Sequence, residues 1–512
     1  MATMSITETI PLSELPSTKT QTPEPPRDRD SRIVDWEGPN DPANPYNWSV
    51  KKKWLITAIS IVATFTTMLN GTIITVAHEA LDERFNISEA DFPHSYWPVS
   101  TWAIGAGLFS FTILPLMEDF GFRRVFLGTY GVFLCFLVPQ AVAQNFATLI
   151  VTRFFCGGCV AIIANSASSL IGNIWDSEQS RTVPMSLWIA LYLAGSSMGP
   201  VVGASVFKFL SWRWISWAQL IWCGALYPVY WMLMPETRNS AILRERAKKL
   251  RKQGKEAYTQ EELDNTPLLD IVLRSLNRPL YMLVTEPVAF VCTVINGLVI
   301  GTIYLFTQST EQVFAGLYGW SPVQAGFLQS AIVIGELFGL LGALGNAKLY
   351  FASAKRNTEI PGMPIPEARL YMSIFAGFFG MTGGMFVYAW TSYPSLPWIA
   401  PAVGLAMVGA GNTVVIIGAC DYVVDAYAKY AASAIAAVAL GENVLAAFLP
   451  MAAQSMYTNL GFHWASSLLG FFALVLSCAP VVLVIYGRRI RDRSPFMKEA
   501  ALDKKKEAGL VK

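Results

Sequence analysis

Apolar residues run along this chain in long stretches separated by short polar ones, and the stretches set the architecture. Many exceed the roughly 18 residues that mark a membrane-crossing helix. Six helices are predicted at about 54–77, 96–117, 124–143, 146–173, 183–207 and 213–234. Six more follow at about 281–307, 322–347, 369–390, 397–419, 431–456 and 465–487. The chain thus divides into a tail expected to be disordered (1–53), a first bundle (54–234), a central loop (235–280), a second bundle (281–487) and a second tail (488–512). The fold class is an all-α membrane protein of twelve transmembrane helices in two six-helix bundles.

Composition agrees. Hydrophobic residues make up 53% of the 512 and charged residues 14%, against about 25% charged in soluble proteins. The net charge of +2 gives no reason to expect a nucleic-acid partner; the expected partners are lipid bilayer and a small-molecule substrate, with the chain acting as a monomer.

The distribution of charge is more informative. Lys51, Lys52 and Lys53, then Arg123 and Arg124, RERAKKLRKQGK (244–255), Lys355 and Arg356, and GRRIRDR (487–493) all fall on alternate connections. The other connections are poor in base. Basic loops stay in the cytoplasm, so both tails and the central loop are expected there. Asn86, in an NIS sequon of a predicted outer loop, is a candidate glycan acceptor, whereas Asn47 is on the wrong side. The expected location is the plasma membrane, with a vacuolar or vesicle membrane as the alternative.

Residues 1–30 are polar and Thr/Pro-rich with no apolar signal segment. They read as disordered, leaving the first span to act as its own signal. The central loop reads as a basic amphipathic helix on the membrane surface.

Several chemistries find no support. Seven cysteines lie in or beside apolar segments, so no disulfide framework is expected. Cys156 and Cys159 form a C-x-x-C without a second ligand pair, and His78, His94 and His463 share no ligand spacing on one helix. No metal or cofactor is expected. The phosphate-cradling G-x-x-x-x-G-K-[ST] pattern is absent, which removes a P-loop ATP motor. No nucleophile constellation suggests an enzyme.

Specific motifs go further. The chain carries NDPANPYNW before span one, LPLMEDFGFRRVF between spans two and three, LIVTRFFCGGCVA in span four and AGSSMGPVVGA in span five. WRWISW, PET, EPVAF, PEARL, DYVVDAYAKYAASAIAA and MYTNLGFHWASSLLG follow. Together these resemble the fungal twelve-span drug:proton antiporter family of the major facilitator superfamily, over nearly the whole chain from about residue 35. The resemblance implies the major facilitator fold and proton-driven export.

It also implies roles. Glu118, Gly121, Arg123 and Arg124 match the loop that latches helix ends on the cytoplasmic side, with Phe122 replacing a usual base. Arg153 matches a span-four arginine linked to proton transfer; snorkelling to the outer surface is the alternative. Gly195, Gly199, Pro200 and Gly203 match the antiporter motif of span five, whose small face packs on span eight in the family; the final glycine is Ala204 here. Asp421 and Asp425 fit a cytoplasmic gate, with Arg369 and Lys429 as candidate partners, although an asparagine is usual where Asp421 stands.

Two acids lie mid-span: Glu336 in AIVIGELFGLLG and Glu442 in ALGENVL. A carboxylate there costs about 2.5–3.5 kcal/mol by insertion scales. Such a group must hold a proton, pair with a cation or face a watery cavity. The first and last together describe a proton carrier; a protonated Glu bonding a neighbouring helix is the bland alternative. Glu442 and Asn443 stand where the family usually has a base and a small residue, so the charge is inverted. Glu286, near a span end, is expected to reach water. Asn70, Asn165, Asn296, Tyr304 and Asn412 are candidate cavity-lining groups, each a polar side chain needing a partner.

The function expected from sequence is proton-coupled export of small hydrophobic or cationic molecules: drugs, toxins, secondary metabolites or polyamine-like compounds. Proton-driven uptake of a nutrient is the alternative that the span-five pattern opposes.

Overall fold

The first long helix begins where Ser49 accepts the backbone N–H of Lys52, a side-chain cap that satisfies one of the unpaired amides of a helix start. The computed structural model describes residues 33–87, 94–112, 117, 120–260, 262 and 268–507. Helices α1 (Val50–Thr72), α2 (His78–Phe85), α3 (Trp97–Thr112), α4 (Phe122–Ala141), α5 (Phe146–Ile174), α6 (Glu178–Phe207) and α7 (Arg213–Leu233) form the first bundle. Between the bundles lie α8 (Asn239–Lys252) and α9 (Leu268–Thr285).

The second bundle holds α10 (Pro287–Tyr318), α11 (Pro322–Leu328), α12 (Ser330–Ala352), α13 (Tyr371–Phe375), α14 (Gly383–Thr391), α15 (Ile399–Tyr427) and α16 (Ala431–Arg493). A last helix, α17 (Pro495–Glu507), follows.

Eight stretches of the described residues are long and apolar enough to cross a membrane. One of them, Ile399–Arg493, holds three crossings, because the chain turns at Ala428–Tyr430 and again at Gly461. With the shorter α3 and the α7 helix the total is twelve. Gly461 has φ +76°, a conformation that L residues with a Cβ avoid. Span nine is α13 and α14 joined by a π-helical stretch, Ala376–Thr382; π turns often occur at functional sites.

Residues 33–53 depart from the expected disordered tail. Val34 donates its amide to Tyr258 O at 2.8 Å, and Arg246 of α8 pairs with Asp41 at 2.8 Å and with Glu37. Tail and central segment are therefore tied together. They sit at the same end of the bundles as α17, here termed the tail face.

Candidate functional site

Three polar constellations lie within or across the two bundles. The first centres on Arg153, which is fully buried and so does not snorkel. Its Nε donates to Pro98 O at 2.9 Å and its Nη2 to Gly71 O at 2.6 Å; Nη1 donates to Asn70 O and to Asn70 Oδ1. Asn70 and Gly71 lie in the last turn of α1, where carbonyls lack helical partners and carry partial negative charge. The helix end thus receives the buried cation.

Trp102 Nε1 donates to Asn70 Oδ1 at 2.8 Å, and the Asn70 amide donates to Gln219 at 2.6 Å. The second bundle reaches this cluster through Tyr304, whose ring lies 6.2 Å from that of Trp102. Its hydroxyl sits 2.6 Å from where a Cβ on Gly71 would be, so a larger residue there would push the Tyr304 ring aside. Gly157 admits span two as closely, its Cβ position lying 2.0 Å from Trp102 O.

The second constellation is the span-five motif. Cβ atoms added at Gly195, Gly199 and Gly203 would lie 2.8 Å from Met68 Cβ, 2.0 Å from Thr72 Oγ1 and 2.2 Å from Ile73 O. The glycine face therefore packs on span one, not on span eight as the resemblance implies. Pro200 has no N–H to give to Ser196 O, four residues earlier. Thr72 of α1 donates its hydroxyl to that carbonyl at 2.5 Å instead.

Span eight meets the other side of the motif. Gly326 faces Pro200 O and Ala204, and Ser197 donates its hydroxyl to Glu336 Oε1 at 2.6 Å. Glu336 is fully buried, and its second oxygen has no protein partner. A mid-membrane carboxyl of one bundle is thus bonded into the small-residue motif of the other.

Glu442 differs. It is half-buried, and its Oε1 accepts from Asn296 Nδ2 at 3.2 Å, an amide that also lies 3.2 Å from Cys420 Sγ. Among the described residues no lysine or arginine pairs with it. Asn443 bonds its own helix at Ala439 O (2.8 Å) and packs against Gly107 of span two. It is a boundary-packing residue. Asn165 bonds Ser110 at 3.4 Å and Asn412 approaches Thr302 at 3.5 Å.

The third constellation lies at the tail face. Arg369 pairs with Asp421 at 3.1 Å, with Asp425 at 2.8 Å and, across the bundles, with Glu178 at 2.7 Å. The Tyr350 ring lies 3.6 Å from its guanidinium carbon, and the Tyr350 hydroxyl donates to Glu178. Lys429 is not part of this cluster; it pairs with Glu499 and Asp503 of α17 at 2.6 and 2.8 Å. Glu286 is buried rather than wet, accepting from Tyr427 at 3.1 Å and Ser494 at 2.6 Å.

Beside this face, Glu236 of the PET motif accepts the backbone N–H groups of Phe122 and Arg123, both at 3.0 Å. This acid on the start of α4 satisfies amides that a helix N-terminus leaves open. Gly121 has φ +83°, and a Cβ there would lie 2.7 Å from Glu236 Oε2. Arg123 also donates to Trp231 O at 2.9 Å, while Arg124 is exposed. Glu118 lies outside the described residues. Asn86 is exposed and left-handed, with φ 54°.

The sequence did not single out Ser197, Glu178, Gln219 or Glu236 for these contacts. PET was visible as a motif, but its contact with α4 spans more than a hundred residues.

Two bundles bridged by buried polar groups define a multi-pass membrane protein built like a secondary transporter. The family model described as Major Facilitator Superfamily matches residues 59–420, and the chain belongs to that superfamily. It is 32% identical over 478 residues to "Efflux pump radE" of Floropilus chiversii, covering 92% of this chain and 86% of that one. It is also 32% identical to "Citrinin biosynthesis cluster MFS transporter mrr1" of Monascus ruber, over 91% and 93% of the two chains. Among solved structures, the proton:xylose symporter XylE bound to 6-bromo-6-deoxy-D-glucose aligns with TM-score 0.59 at 14% identity, covering 85% and 96% of the chains; that likeness shows the fold alone.

Proposed function

We propose that the chain exports small hydrophobic or cationic molecules, secondary metabolites among them, in exchange for protons. Relatives of similar length that are named as an efflux pump and as a citrinin-cluster transporter support the direction and the substrate class. The observation that carries the coupling is the Ser197–Glu336 bond. A titratable group inside the membrane is joined there to the boundary that must move when access alternates.

Glu442 is the second carboxyl of this reading, more open than Glu336 and held by one amide. Its negative form would also attract a cationic substrate. Arg153 fastens spans one, two and four into a rigid unit, and the Arg369–Glu178 pair shuts the tail face. In this reading the tail face is cytoplasmic, because it carries the basic loops. The protein works as a monomer in the plasma membrane, with the proton gradient in place of a cofactor and a glycan at Asn86.

Metabolite profiles inside and outside cells with and without the protein test the direction. Export predicts that deletion raises the internal level of at least one compound; a fall on deletion contradicts it.

A further inference from the structure

Opposite the tail face, the structure brings together three ligating groups that sequence spacing does not connect. His78 and Glu79 lie just beyond α1 in the first bundle, and Glu311 lies on α10 of the second. One imidazole nitrogen and one oxygen from each carboxylate all fall within 4.8 Å of one another. His78 Nδ1 is 3.6 Å from Glu311 Oε2 and donates to Thr75 O at 3.0 Å, a proton that a metal bound at this nitrogen would displace, and its ring packs beside Tyr96 at 5.6 Å between centroids. The His78 and Glu311 side chains are only 17% and 13% exposed, while Glu79 is open to solvent.

Two carboxylates facing each other across a bundle boundary repel unless one of them holds a proton or something positive joins them. One imidazolium balances at most one of them. A divalent ion taking one nitrogen and two oxygens balances both. Zinc accepts this donor set in tetrahedral geometry with a fourth position left for water. Its bonds of about 2.0–2.2 Å place ligand atoms roughly 3.3–3.6 Å apart, so side-chain movements of up to about 1.5 Å close the site. Magnesium demands near-octahedral oxygen ligation and holds its waters; it is a poor match.

We propose that His78, Glu79 and Glu311 form a zinc-class divalent metal site that fastens the two bundles together on the face opposite the tails. Metal bound there would hold that face shut and slow the alternation of access.

The test uses the full-length protein in lipid nanodiscs, titrated with zinc chloride and, separately, magnesium chloride. The expected result is one saturable zinc site per chain, weakened at least tenfold in Glu311→Gln and in His78→Gln and retained in His463→Gln. Magnesium should not fill it. Zinc held by the exposed thiols of Cys135 and Cys478 appears equally in every variant and subtracts out. Hydrogen exchange over residues 75–85 should slow on adding zinc to the unaltered protein only. Should Glu311→Gln fail to fold, Glu311→Asp, which withdraws the carboxylate by one methylene, carries the comparison. Equal zinc affinity in the Glu311 variants overturns the site. Zinc binding that leaves exchange over 75–85 unchanged overturns the fastening.

Discussion

Ser197 Oγ donates to Glu336 Oε1 at 2.6 Å, and the bond crosses from one six-helix bundle to the other. Ser197 stands between Gly195 and Gly199, two of the three motif glycines that press on span one, so one turn of α6 touches both bundles. Removing the donor leaves a buried carboxyl without its protein partner, a change of about 1–3 kcal/mol. Ser197→Ala is expected to lower the melting temperature by several degrees, and Glu336→Gln, which retains an acceptor oxygen, by less. Thermal unfolding of both variants in the same detergent checks the order.

The glycine face gives a steric prediction. A methyl group at Gly199 would lie 2.0 Å from Thr72 Oγ1 and 2.9 Å from Ile73 N, whereas one at Gly172 meets nothing within 4 Å. Overpacking of this kind costs about 1–3 kcal/mol, while a helical glycine in open space gains up to about 1 kcal/mol on becoming alanine. Gly199→Ala should therefore melt earlier than the parent and Gly172→Ala no earlier, measured by the same unfolding assay.

Arg369 answers three acids at once. Taking away the cation of a buried cluster costs about 3–5 kcal/mol, so Arg369→Gln is expected to reduce folded yield sharply. Glu178→Gln removes only the cross-bundle arm. It should leave the fold intact and speed hydrogen exchange over residues 178–186 and 417–425; unchanged exchange there would remove Glu178 from the gate.

The link between the first tail and α8 is pH-dependent in a defined direction. The Glu37 amide, and after it Arg246 and the Ala43 amide, hold the Asp41 carboxyl down at about 2. A carboxyl depressed on folding contributes above its ordinary value and loses the contribution as pH falls toward its folded one. The attachment should therefore persist at pH 5 and above and weaken from about pH 4 downward. Limited proteolysis of residues 33–49 reads this, and Asp41→Asn should expose the segment at neutral pH.

Crossings and motifs were legible in the sequence because length and apolarity demand a membrane, and Arg153, Glu336 and Glu442 stood out as polar groups in greasy helices. What they bond to was not legible. Arg153 found backbone carbonyls at a helix end, an acceptor type with no sequence signature. Glu336 found an ordinary serine. Glu236, Glu178 and Glu311 act across contacts that join segments more than a hundred residues apart. The glycines of span five announced a close approach, but a stripe of small residues does not say which helix approaches, and span one does so here.

Coupling through intramembrane carboxyls is tested most directly in inside-out vesicles with an acid lumen, bathed in a compound that deletion causes cells to accumulate. The unaltered protein should pump the compound into the lumen at a rate set by the pH gradient. Glu442→Gln should still let the compound equilibrate down its own gradient, yet show no acceleration when the lumen is acidified. Acceleration equal to that of the unaltered protein would contradict a coupling role for Glu442.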